Sequence, residues 1–233
     1  MDYVANAGLL ALATAPFVAA ALWASPERRW AWAALFLGLL ALDDLAVSVA
    51  HAAPALRVGA EWNWTGKLVC TGWALAFVAL GPLSRGEAGV TLRQRPGSVR
   101  PALVATLAVA AVSLGIGAAF GGGPFGAETL AFQLTMPGVA EELVYRGVLL
   151  AVLHRAAPSA TGAARWGPVV VTSAAFGLWH GLGVDGGAVS FDALSASFPF
   201  AGGLAFGWLR ERTGSVLFPT LAHNTGNTAA LVG

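Results

Sequence analysis

Charge is scarce in this sequence. Asp, Glu, Lys and Arg together make up 11% of its 233 residues, where a soluble domain carries about a quarter. A water-facing surface needs more solvated groups than that, so a soluble globular domain is excluded. Lysine is nearly absent, one against twelve arginines, and the formal net charge of +1 supplies no field for a polyanion, so no nucleic-acid partner is expected. Cys70 is the single cysteine, which rules out an internal disulfide and a disulfide-framed secreted module. The metalloprotease pattern H-E-x-x-H is missing as well. What the chain does have is apolar surface: 57% hydrophobic residues and nine Trp, with a mean hydropathy of +0.69. Disorder needs the opposite composition. An integral membrane protein is what remains.

A spanning helix needs about 20 mostly apolar residues, because the hydrocarbon core is roughly 30 Å thick and each helical residue rises about 1.5 Å. That ruler gives eight candidate spans, at 7–24, 30–50, 64–83, 101–120, 128–153, 166–183, 189–209 and 216–232. The predicted fold is therefore an all-α, polytopic transmembrane helix bundle of about eight spans. Turn-rich or charged connections separate the spans, among them SPERR at 25–29, SRGEAGVTLRQRPGSVR at 84–100 and FGGGPFG at 120–126. No internal repeat is present. The leading MDYVANA lacks Lys and Arg, so the first span reads as a helix and not as a signal peptide.

Positive residues supply an orientation. Arg28, Arg29, Arg85, Arg93, Arg95, Arg100, Arg155, Arg165, Arg210 and Arg212 fall in or beside alternate connections, and only Arg57 and Lys67 fall in the other set. Positive loops stay cytoplasmic, so both termini are expected on the extracytoplasmic side. The excess of Arg over Lys points to a GC-rich bacterial genome, and hence to a multi-pass protein of a bacterial cell membrane.

Several spans carry polar groups that lipid penalises by at least about 2.5 kcal/mol per charge. The fifth holds Glu141, Glu142 and Arg146, the sixth His180, the eighth His223, Asn224 and Asn227, and the second Asp43 and Asp44. Glu142 and Arg146 stand four apart and can pair along one helix face. Glu141 is rotated about 100° away and is expected to point elsewhere, unpaired, as a general base would. His223 and Asn227 also share a face, and could stabilise an oxyanion if His223 presents an N–H to it. Taken singly, each has a plainer reading: Glu142 with Arg146 as a helix clamp, His180 and the His223–Asn227 pair as interhelical hydrogen-bonding glue. Their joint presence in the last four helices favours a site. Asp43 and Asp44 fit either a proton or cation path or a displaced helix boundary. His51 and His154 sit near helix ends, and Trp23, Trp30, Trp62, Trp64 and Trp166 lie where interfacial belts form.

Three of these stretches, EELVYR at 141–146, FGLWH at 176–180 and HNTGN at 223–227, resemble the ordered motifs E-E-x-x-x-R, F-x-x-x-H and H-x-x-x-N of the CPBP family. These are membrane-embedded proteases that include CAAX prenyl endopeptidases and bacteriocin-processing relatives. The stretch FAGGLAFGWLRERTGSVLFPTLAH at 200–223 is similar to the family's Gly-spaced helix, TGS turn and Pro before the last His. The likeness covers about 128–227. Residues 1–100 carry none of it and form N-terminal helices of unassigned role, while 101–233 is the expected catalytic core.

The resemblance implies an intramembrane endopeptidase acting on a membrane-associated or lipidated peptide. Glu141 would activate a water held by His180, and His223 and Asn227 would stabilise the oxyanion. Glu142 and Arg146 would support the site. No cofactor is expected. If a divalent metal such as zinc took part, Glu141, His180 and His223 would have to supply it. Two other classes fit the buried charges: an ion- or proton-coupled transporter with Asp43 and Asp44 as stations, which predicts flux without cleavage, and a non-catalytic membrane peptide-binding or immunity protein, in which Glu141 is replaceable. On the span boundaries, Glu141 and His180 lie about 20 Å from the cytoplasmic helix ends and His223 about 10 Å. Convergence therefore calls for tilted helices or breaks near Pro137 and Pro219.

Overall fold

A computed structural model describes residues 2–123 and 125–233, without the side chains of Ala50 and His51, so the helix-end reading of His51 and Pro124 in the connection at 120–126 lie outside the described residues. The described residues form eight long helices: α1 (Tyr3–Trp23), α2 (Trp30–Val47), α3 (Trp64–Leu80), α4 (Val99–Phe120), α5 (Ala127–Glu142), α6 (Gly167–Gly181), α7 (Ala193–Thr213) and α8 (Leu217–Val232). Beyond Glu142 the chain keeps a helical course through a π-helical turn, Leu143–Leu149, and an α-helical stretch, Leu150–Ala156. Each expected span has its helix. Three of them, Tyr3–Trp23, Trp30–Val47 and Val99–Phe120, are long and apolar enough to cross a membrane by length and composition.

The fold is all-α apart from one short antiparallel hairpin, β1 (Leu182–Asp185) and β2 (Ala188–Phe191), turned by Gly186 and Gly187 at φ +55° and +80°, a region that L side chains avoid. The start of the predicted seventh span is thus a strand, and its helix begins only where Asp192 accepts hydrogen bonds from the amides of Leu194 and Ser195. Of the two routes to convergence, tilt or a break near a proline, the described residues show no break at a proline near the site. Pro137 lies inside α5 and Pro219 in the first turn of α8. The irregularity is the π turn directly after Glu142, a device common at functional sites.

The segment from Ala140 to Leu153 is buried on every side, as a central helix must be, and its apolar residues join Phe36, Leu40, Cys70 and Val171 in the main core. By contrast α4 exposes Leu103, Val104, Leu107 and Val112, the surface of a helix that faces lipid. Helices meet where side chains are small. A Cβ on Gly177 would stand 2.7 Å from the Ala196 carbonyl of α7, and one on Gly138 would stand 2.6 Å from the Thr220 carbonyl of α8. At the far end from the hairpin, Arg210 donates to the carbonyls of Arg146 (3.1 Å) and Glu87 (2.7 Å), and Arg155 pairs with Glu87. His154, near a helix end as expected, bonds Glu211 at 2.8 Å.

Candidate active site

Helices α5, α6 and α8 bring Glu141, His180, His223 and Asn227 to one cavity of about 1230 Å3. Glu141 stands in the last turn of α5 and is not unpaired: its Oε1 accepts from the Lys67 ammonium at 2.6 Å, with both side chains only 9% exposed. Its Oε2 is buried with no hydrogen-bond partner among the described residues, and lies 3.7 Å from His223 Nε2. One oxygen is thus anchored and the other is left as an acceptor.

Glu142, fully buried, does pair with Arg146 across one helical turn at 3.1 Å. The same Oε1 accepts from His223 Nδ1 at 2.8 Å, so the expected clamp extends to a third residue. The Arg146 guanidinium otherwise meets ring faces, at 4.6 Å from Phe176 and 5.5 Å from Phe206. Phe206 in turn stacks on His223 at 5.0 Å. The imidazole is therefore held both at its edge and across its face.

Those bonds fix the ring protons. A carboxylate only accepts, so His223 donates from Nδ1; its Nε2 then carries a lone pair in the neutral ring and donates only when the ring holds both protons. His180 donates from Nδ1 to the Phe176 carbonyl at 2.8 Å, which leaves the lone pair of its neutral ring on Nε2. The His180 ring packs edge-on against Phe176 and Trp179. Asn227 lines the same cavity and uses one amide hydrogen on Gln133 Oε1 at 3.0 Å. Asn224 belongs elsewhere. It accepts from the Gly138 amide at 2.8 Å and donates to the Thr135 carbonyl at 3.1 Å, tying α8 to α5.

Two residues outside the motifs, Lys67 and Asp44, also line the cavity. Lys67, counted by sequence among the connection charges, lies inside α3 and is buried; its ammonium also sits 4.8 Å from the centre of the Trp179 ring. Asp44 lines the cavity and accepts from Trp179 Nε1 at 2.9 Å and from Asn6 at 3.0 Å. Asp43 accepts from Trp73 Nε1 at 3.2 Å. The adjacent carboxylates thus anchor two indoles, and a displaced helix boundary is ruled out because both fall within α2. The signal for Lys67 was available: it is the chain's single lysine, four residues past Asn63, whose side chain caps α3 by accepting from the Gly66 amide. Trp62 and Trp64, placed by sequence in an interfacial belt, pack on Phe132 of α5.

The residues that would hold zinc fit it poorly. An ammonium already occupies Glu141 Oε1, where a dication would be repelled. Among the described residues no group of three His, Cys, Asp or Glu is arranged to hold a metal.

Residues 123–229 match the family described as type II CAAX prenyl endopeptidase Rce1-like. The match falls on the motif-bearing part of the chain and agrees with the CPBP resemblance of its sequence. No curated protein and no solved structure matches the chain.

Proposed function

With residues 123–229 Rce1-like, we propose that the protein is a membrane-embedded endopeptidase that cleaves a membrane-associated or lipidated peptide. The observation that carries this reading is the free Glu141 Oε2, turned towards the His223 ring at the wall of a large cavity. Glu141 takes a proton from a water whose other hydrogen His180 Nε2 accepts. The water oxygen bonds to the substrate carbonyl carbon, and the oxyanion so formed accepts from Asn227 and from Nε2 of a doubly protonated His223. Collapse breaks the C–N bond, and the proton on Glu141 passes to the leaving amine. Glu142 and Arg146 touch no reacting atom; they orient His223. The site works without a metal, so a chelator leaves turnover unchanged. Loss of turnover that returns specifically with zinc would overturn that choice.

The finer architecture belongs to the same proposal. All eight helices span the cell membrane of a bacterium, both termini are extracytoplasmic, and residues 101–233 form the catalytic core on N-terminal helices 1–100. The test compares membrane peptides from cells carrying the wild-type protein with those carrying Glu141→Gln or His180→Ala. General base loss removes about 10² to 10⁴-fold in rate, so uncleaved precursors accumulate in both variants while the proteins stay folded. A folded Glu141→Gln protein with unchanged peptides ends the protease reading.

A further inference from the structure

The charged side chains outside the core divide sharply between the two ends of the bundle. Ten of the twelve arginines lie on or beside the connections that follow α1, α3 and α7 and the connection at 157–166, accompanied by Glu27, Glu87 and Glu211. The opposite end, where α1 begins and the hairpin lies, has Arg57 against Asp2, Glu61, Glu128, Asp185 and Asp192. The first end is strongly cationic and the second anionic, as if the bundle were a rod polarised along its axis. Arginine retention on the cytoplasmic side makes the cationic end cytoplasmic.

Most of the cavity's polar wall lies at the other end, His223 in the second turn of α8 standing nearer the cationic one. It takes Asn6 from the first turns of α1, Asp44 from the last turn of α2, Lys67 from the first turn of α3 and His180 from the last turn of α6. It reaches the end of the bundle at Ser48, Asn63 and Leu182, the last being the first residue of the hairpin. Its apolar wall runs along the lipid-facing α4 through Val109, Val112 and Ile116. At the cationic end the segment after α3 is tied to the bundle, where Arg210 and Arg155 hold Glu87 and the Arg95 amide donates to the Thr213 carbonyl at 2.9 Å.

We infer that the active-site cavity opens to the extracytoplasmic side, so that the substrate is a peptide segment displayed on the outer face of the membrane and not a cytoplasmic chain terminus. This rests on the protease reading for the word substrate, but the side on which the cavity opens does not. A carboxylate and two imidazoles can admit hydrolytic water from outside without breaching the cytoplasmic arginine layer.

Single cysteines in a Cys70→Ala background decide the side, because both positions are exposed and neither touches the site. Leu92→Cys lies in the cationic segment and Ala188→Cys in the hairpin. In right-side-out vesicles of cells producing the full chain, a membrane-impermeant maleimide labels Ala188→Cys and leaves Leu92→Cys unlabelled until the vesicles are permeabilised; inverted vesicles give the reverse. Labelling of Leu92→Cys from outside, or equal labelling of both, overturns the inference. The peptides that accumulate with Glu141→Gln provide the second arm: their cut sites fall in segments on the outer face. Cut sites in cytoplasmic segments refute the substrate class while the protease reading stands. If nothing accumulates, the protease reading fails and takes the substrate class with it, and labelling alone judges the cavity's side.

Discussion

Replacing Lys67 by Met keeps the length of the side chain and removes its charge, leaving Glu141 with a buried, uncompensated carboxylate. At 2.6 Å and an effective dielectric constant near 20, the Coulomb attraction is about 6 kcal/mol before either group's desolvation is counted. Burying both ions costs much of that. Removal of one partner from such a pair typically costs about 3–5 kcal/mol, whereas removal of both is far milder. Solvent screening takes little from the figure, since each side chain is 9% exposed. Lys67→Met and Glu141→Gln should therefore each destabilise the protein by roughly 3 kcal/mol or more, and the double variant should recover most of the sum. Denaturation of the purified protein in detergent, followed through the complete double-mutant cycle, measures the coupling. Costs that simply add, with a coupling below about 0.5 kcal/mol, would refute the reasoning, because two charges that meet must be coupled. Activity offers a separate readout. A misplaced base loses about 10²-fold in turnover for an ångström of error, so Lys67→Met should lower kcat with KM little changed, and Lys67→Arg should retain most of it.

Other perturbations probe the surroundings of the site. Gly138→Ala would put a methyl 2.5 Å from Asn224 Oδ1 and 2.6 Å from the Thr220 carbonyl; α5 and α8 must separate, at a cost of about 1–3 kcal/mol, visible as a lowered melting temperature. Asp44→Ala removes the acceptor of Trp179 and Asn6 and should cost about 1–3 kcal/mol, whereas Asp44→Asn, which keeps an acceptor, should cost less in the same melt. Away from the membrane core, the Ser84 hydroxyl and amide and then Arg155 hold the Glu87 carboxyl below its usual range. Its contribution is present above the unfolded value and lost as pH falls through the folded one. Glu87→Gln should thus melt closer to wild type in acid than at neutral pH, and an equal deficit at both would show that the carboxylate's charge is immaterial.

Helix placement was legible because lipid imposes a length and a composition that no tertiary contact can override. Each of the eight apolar runs became a helix, with the largest departure at 189–209, where two glycines and a capping aspartate turn the chain into a hairpin first. The ordered motifs were legible too, since three-residue gaps put each motif's members on one helix face. What sequence spacing cannot supply is contact between helices. The phase difference between Glu141 and Glu142 was read correctly, yet it only says that they face different neighbours. The neighbour of Glu141 turns out to be a cation from a helix 74 residues away, and that of Glu142 a histidine 81 residues away.

Lys67 shows how a correctly placed helix start can still hide its chemistry. A lysine three residues into an apolar run is expected to reach the aqueous interface, and by charge alone Lys67 groups with Arg57. The cap at Asn63 makes Lys67 helical, and the connection before it folds over the helix start instead of leaving for solvent: Thr65 donates to the Leu56 carbonyl, Trp62 stacks on Phe132 and Glu128 accepts from the amides of Ala60 and Glu61. With that stretch of chain in place the ammonium is buried, and the Glu141 carboxylate meets it. The N-terminal helices, which carry no motif, thereby determine which oxygen of the candidate base is free. Cutting the chain to residues 123–229 should accordingly remove more than stability, since Glu141 would lose the partner that orients it.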